Sequence, residues 1–325
     1  MSRLPAAVLP FLLGAVAAGV GYDLGTYSDG RAAVDALYQD MGAGSGPLGD
    51  PVEGTRCSKG IHGCVRGFEH GFIAWSADTG AQPVQGAIGA EWGTGGTRGL
   101  LGLPLAPEAC GEGTCSQQFQ RGRINWNAGE GTRVTRAIDD PADVRVVVNK
   151  QRPLVPADWA PGDLGAVDGQ PLRVEAAQAL QRLIDDAAAE GVPIRAISGY
   201  RPQHEQDGLY RRYTALYGQA TADAISARPG HSEHQTGLAV DIGNPDGACA
   251  LQACFEQTPA GRWAAENAHR YGFLIRYPAG AEPVTGYAYE PWHLRYVGIQ
   301  LAGEVRASGT ATLEEYLGLP AAPGY

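Results

Sequence analysis

The sequence predicts an α+β fold with a small mixed or antiparallel sheet, preceded by a β-rich repeat domain. Helical and strand-like periodicities mix without strict alternation over residues 144–325. A short Gly-rich unit occurs twice within residues 35–135. The 325 residues, 44% of them apolar, are enough for two cores rather than one.

The chain begins Met1-Ser2-Arg3, with one positive charge, and then runs uncharged from Leu4 to Tyr22 through Ala, Val and Leu. With small residues at Ala15 and Ala17, residues 1–24 read as a secretory signal peptide. The rival is an uncleaved membrane anchor, because the run approaches the roughly 17 residues that span a bilayer. Pro5, Pro10, Gly14 and Gly19 make a poor permanent helix and favour cleavage. The expected location is outside the cell or in its envelope, with a membrane partner only if the segment stays attached. No later segment is apolar for long enough to span.

In the repeat, Leu48-Gly49-Asp50-Pro51 matches Leu101-Gly102-Leu103-Pro104, and Cys57 and Cys64 match Cys110 and Cys115. Phe68-x-x-Gly71-x-Ile73-x-Trp75 matches Phe119-x-x-Gly122-x-Ile124-x-Trp126. One folding unit used twice is expected, built of small hairpins because turn residues abound and helix formers are few. The six cysteines form three close pairs, the third being Cys249 with Cys254. An even count in an exported chain predicts disulfides, and local pairing is the simplest reading. A cysteine zinc site is disfavoured, since no pair has C-x-x-C spacing. The units resemble the LGFP repeat of exported cell-wall proteins. That resemblance implies attachment to the envelope through wall glycan; a spacer without ligand is the plain alternative. Trp75, Trp92 and Trp126 are possible sugar platforms, though a Trp at a constant place in a repeat usually serves the core.

Net charge is -10, and Lys59 and Lys150 are the only lysines. With the arginines scattered, nucleic acid is not expected as a partner, because phosphate binding needs clustered positive charge.

Residues 136–143 read as a linker, with Asp139, Asp140 and Pro141 opposing regular structure. Val144–Val148 reads as a strand. Leu172–Gly191 is an amphipathic helix, apolar at Val174, Ala177, Leu180, Leu183, Ile184 and Ala187. Further strands are expected at Pro193–Ser198, Ala239–Ile242, Phe273–Tyr277 and His293–Val297. Helices are expected near 203–226, at Trp263–Tyr271 and at Leu313–Leu317.

The chemistry centres on two motifs. In Ser232-Glu233-His234-Gln235-Thr236-Gly237-Leu238-Ala239-Val240-Asp241, Gly237 permits a sharp bend, and the apolar Leu238-Ala239-Val240 is expected to form a buried turn or short strand. His234 and Asp241 then bracket that turn, and an unpartnered buried Asp would be costly. Glu290-Pro291-Trp292-His293 supplies a second His beside an acid. Two His and one Asp give Zn2+ three ligands and an open fourth position, the arrangement of a catalytic zinc site. Bound zinc polarises a carbonyl and acidifies water, and Glu290 is left free as general base and acid.

These motifs, Ser-x-His-x-x-Gly-x-x-x-Asp and Glu-x-Trp-His, resemble the signature of the VanY-type zinc D-alanyl-D-alanine carboxypeptidases. The likeness extends over residues 142–325, through Asn149-Lys150-Gln151-Arg152-Pro153-Leu154, Ser198-Gly199-Tyr200-Arg201, Thr285-Gly286-Tyr287 and Leu313-Glu314-Glu315-Tyr316-Leu317. It implies that His234, Asp241 and His293 bind zinc, that Glu290 is the base, and that Arg201 stabilises the oxyanion. Gln206 and Ser232 match positions that hold the substrate peptide. The implied substrate is the D-Ala-D-Ala end of a peptidoglycan stem peptide. L,D-carboxypeptidase or endopeptidase action on the same stems, and a wall-binding protein without catalysis, are the alternatives.

Other hydrolytic routes lack their motifs. Position 208 is Gly, so His204-Glu205 does not begin H-E-x-x-H. The residues three before the lysines are Arg56 and Val147, which removes Ser-x-x-Lys. His62, His70, His204 and His269 read as structural or surface groups, as does His231 despite its closeness to His234.

Overall fold

The computed structural model describes residues 24–325, so the signal-peptide reading lies outside them but for Leu24. The described chain divides into two compact units, residues 24–120 with 124–133 and residues 121–123 with 134–325. Among the described residues no helix is long and apolar enough to cross a membrane.

The repeat appears as two four-stranded sheets. The first is antiparallel, in the order Arg56–Ser58, Gly63–Phe68, Gly71–Ser76, Gly80–Gln85. The second runs in the same order through Ala109–Gly111, Thr114–Phe119, Gly122–Asn127 and Gly131–Arg136. Cys57 lies directly across from Cys64, and Cys110 from Cys115, and both pairs form disulfides. The cysteine pairing expected within each unit is therefore present, as is the third bridge, Cys249–Cys254.

Two helices inside the repeats depart from the hairpin expectation, Gly86–Gly93 and Gly95–Leu101, and a third, Leu24–Asp40, comes before the first Leu-Gly-x-Pro. Their propensity is poor, and burial holds them instead. Val34 and Tyr38, one turn apart, pack against Leu48, Phe68, Ile73 and Trp75. Ile88 and Trp92 repeat that spacing, and Trp92 is wholly buried with its Nε1 donating to Gly102 O at 2.8 Å. Trp75 is also buried and Trp126 half-buried, so the first two rings are core, not sugar platforms. Trp92→Ala should destabilise this unit by about 3–5 kcal/mol, as measured by urea denaturation.

The second unit is organised by one antiparallel sheet in the order Arg195–Ser198, Ala239–Gly243, Glu290–Tyr296, Phe273–Tyr277. The helix Val174–Ala189 buries Ala176, Leu180, Leu183 and Ala187, at the spacing that makes one face. These residues share a core with Val240, Ile242 and Leu294. Strand alternation then sends Asp241, His293 and Arg295 to the opposite face of the sheet. The two-residue period thus separates core from site.

The expected helix is shorter than 172–191. Leu172 belongs instead to the hairpin Leu164–Val167 and Gln170–Arg173, turned at Asp168-Gly169 with both residues at positive φ. The 203–226 stretch is two helices, Gln203–Tyr217 and Gln219–Ile225, broken at Gly218. Helix Pro259–Asn267 continues as a tighter turn to Tyr271, and Leu313–Tyr316 starts from a capping box of Thr312 and Glu315. Helix Ile299–Ser308 lacked a clear sequence signal.

Val144–Val148 is not a strand. It is a buried turn and irregular segment whose Val144 and Val146 carbonyls accept from Arg295 Nη2 at 2.9 and 2.7 Å. A buried guanidinium satisfies the backbone that a neighbouring strand would otherwise satisfy. Residues 136–143 are pinned rather than loose. Ala137–Asp139 forms a single tight turn, Asp139 pairs with Arg136 and Arg152, and buried Asp140 pairs with Arg123.

Candidate metal centre

Strand register assembles the site. Asp241 stands directly across from His293, and on its other side across from Ser198. Glu290 begins the His293 strand and pairs with Tyr277. His234 comes from the single turn Glu233–Thr236, which Gly237 ends in the left-handed region at φ 69°. The positive φ favours glycine, and a Cβ there would also crowd the Arg173 backbone nitrogen at 3.2 Å. The sharp bend expected there is present.

His234, Asp241 and His293 are all buried, and their donor atoms lie within 4.8 Å of one another. His234 Nδ1 bonds Gly199 O at 2.8 Å, which turns Nε2 inward to 3.4 Å from Asp241 Oδ2. His293 Nδ1 lies 3.3 Å from Asp241 Oδ1 and 3.5 Å from Glu290 Oε2. Tetrahedral zinc with bonds of about 2.0–2.1 Å sets its donors about 3.3 Å apart, close to the separation of each imidazole from an oxygen of Asp241. Asp241 Oδ1 is moreover buried without a hydrogen-bond partner. A cation among these three groups would remove that cost, so the residues fit zinc.

The local electrostatics agree. Burial acts to raise the Asp241 carboxyl, but His234 and His293 outweigh it and hold the group well below the usual carboxylate range. Burial lowers the His234 imidazole. For His293 burial also acts downward, but the Asp241 and Glu233 carboxylates dominate and carry it up to about 9. The cluster therefore attracts positive charge. Burial pushes Glu290 up to about 7 against the opposing pull of His293.

Arg201 follows strand Arg195–Ser198 and holds its place through its backbone N–H, which donates to His234 O at 3.1 Å. Its guanidinium donates to neutral partners, Gln206 Oε1 at 2.8 Å and Ser198 Oγ at 3.0 Å. These fix its direction without cancelling its charge. Gln206 is buried, and its amide nitrogen donates to Ser226 Oγ and Ala227 O at 3.1 and 2.6 Å. Most of its hydrogen-bonding capacity thus goes to the protein, and what it offers the site is a fixed Arg201. Ser232 is buried in the cleft wall.

All seven residues singled out in the sequence line one cleft of about 330 Å³. Leu251, from the Cys249–Cys254 loop, also lines it, so the third disulfide shapes the rim. His231 stays apart, with Nδ1 2.9 Å from Asn149 O and its ring edge-on to Tyr325. Sequence reasoning assigned no role to Ser198, Glu233 or Tyr277. Tyr277 is buried with its ring centroid 4.9 Å from that of His293. Its only sequence signal was membership of a predicted strand.

Comparison with known proteins places these features in context. The VanY family model, D-alanyl-D-alanine carboxypeptidase, matches residues 169–299, and the LGFP repeat matches residues 48–99 and 101–139. YodJ of Bacillus subtilis (strain 168) is 41% identical over 189 residues, which cover 55% of this chain and 68% of YodJ. A D-alanyl-D-alanine carboxypeptidase of Enterococcus faecalis (strain ATCC 700802 / V583) is 38% identical over 181 residues, 53% of this chain and 65% of that protein. Among solved structures, the LdcB LD-carboxypeptidase is similar with a TM-score of 0.51 and 40% identity, covering 55% of this chain and 87% of that one.

Proposed function

We propose, since the chain belongs to the VanY D-alanyl-D-alanine carboxypeptidase family, that it is an exported zinc enzyme releasing the terminal D-alanine of peptidoglycan stem peptides ending in D-Ala-D-Ala. The observation that carries this reading is the convergence of His234, Asp241 and His293 beside the buried carboxyl of Glu290 and the uncancelled charge of Arg201.

His234 Nε2, Asp241 and His293 Nδ1 would hold the ion. Bound zinc supplies Lewis acidity toward the scissile carbonyl and toward water. Glu290 as carboxylate takes a proton from the attacking water and then passes it to the departing amine nitrogen of D-alanine. Arg201 donates to the oxygen that becomes negative as water adds to the carbonyl carbon. Gln206 and Ser198 keep the guanidinium aimed, and Ser232 binds the peptide along the wall. The two repeats attach the enzyme to wall glycan, through surfaces other than the buried Trp75 and Trp92.

Likeness to LdcB favours a second reading, removal of D-alanine from a tetrapeptide stem. Pentapeptide and tetrapeptide stems incubated with zinc-loaded protein and analysed by mass spectrometry distinguish the two. Loss of one alanine from the pentapeptide, abolished by a chelator, is the expected result. Loss from the tetrapeptide alone moves the enzyme to the L,D class. Two unchanged stems with wall binding retained would make the chain a binding protein.

A further inference from the structure

We infer that Glu233 is a positioning residue for the metal: its Oε2 accepts the Nε2–H of His293 and so presents the Nδ1 lone pair of that imidazole to the ion. This rests on the metal reading above.

Glu233 and His293 are both buried, and Oε2 and Nε2 lie 3.4 Å apart. Each of these two atoms is buried without a hydrogen bond. Two orphaned polar atoms this close need only a small shift and reorientation to bond. The other carboxylate oxygen is already committed. Oε1 accepts from Arg276 Nε at 2.8 Å and from Arg295 Nη1 at 3.0 Å. Arg276 is gripped in turn by Glu314 through two bonds of 2.8 and 2.6 Å, and Glu314 accepts from Asn149 Nδ2 at 2.9 Å.

Two arginines thus face two glutamates, and the group is neutral without drawing on His293 or Asp241. Buried ion clusters seldom add stability over apolar residues of like volume. What this one provides is a carboxylate oxygen held rigidly against the far side of an imidazole, and such partners set tautomer and ring orientation. His234 has the equivalent arrangement, with Gly199 O as acceptor.

The committed Oε1 makes Glu233→Gln informative. Both arginines donate, so the amide oxygen must face them and the amide nitrogen must face His293 Nε2. That nitrogen donates, which favours the Nδ1–H tautomer and blocks the metal donor. Zinc affinity of the full chain, measured by competition with a chromogenic chelator, is expected to fall about 10–100-fold. The metal-free variant should remain folded by circular dichroism. An unchanged zinc affinity in the variant would overturn the inference.

A second measurement needs no variant. Cobalt-substituted wild-type protein should give two slowly exchanging, paramagnetically shifted ring N–H signals, from His234 Nδ1 and His293 Nε2. A single such signal would show that Glu233 does not hold the His293 proton. Failure of the wild-type chain to bind zinc or cobalt would instead remove the metal reading itself, and the inference with it.

Discussion

Glu290→Gln is expected to lower the rate of D-alanine release by about 10²–10⁴-fold, the range for losing a positioned proton carrier. Zinc affinity should change little, because His234, Asp241 and His293 keep their places in turn and sheet. The substitution keeps size and shape at the head of the Glu290–Tyr296 strand, so folding is not at issue. On the proposed mechanism, what it removes is the capacity to take a proton from water and return it to the leaving amine. Burial lifts its carboxyl to about 7 without an ion in the site, and bound zinc a few ångströms away favours the carboxylate, the form that accepts a proton from water. Steady-state kinetics on a pentapeptide stem, with metal content measured on the same sample, check this. A variant with full zinc and more than about a tenth of the wild-type rate would place the base elsewhere.

Arg201→Ala should cost about 10²–10³-fold in kcat, as expected for one donor to a developing oxyanion. The loss should fall on kcat more than on KM, because the oxygen is charged only as the reaction proceeds. Arg201→Lys should recover little. The ammonium can retain the charge, but it cannot span Gln206 Oε1 and Ser198 Oγ while also reaching the substrate. An equal loss in kcat/KM with kcat unchanged would make Arg201 a ground-state anchor instead.

The candidate site was more legible in the sequence than the fold around it. His234, Gly237 and Asp241 lie within eight consecutive residues, and their chemistry depends on that local spacing. Glu290 and His293 are likewise neighbours on one strand. Glu233 was visible beside His234, but its role depends on Arg276 and Arg295, which come from two other parts of the chain. No local pattern announces a residue whose meaning lies in distant partners. The same physics explains the misread Val144–Val148, an apolar run whose carbonyls are captured by a buried arginine rather than by a ladder. The helices Gly86–Gly93 and Gly95–Leu101 were hidden for the opposite reason. Their glycines argue against helix, and only the burial of Ile88, Trp92 and Leu101 overrides them. Strand positions fared better, because alternation of Val240 and Ile242 with Asp241 already separates core from site.

The most direct test of the account is a zinc titration of the chelated full chain, with D-alanine release from a D-Ala-D-Ala-ended stem followed at each addition. The account predicts no release before zinc and a linear rise that breaks at about one equivalent per chain, as three protein ligands around one open position require. Undiminished release from the chelated protein, or full binding of zinc with no release, would contradict it.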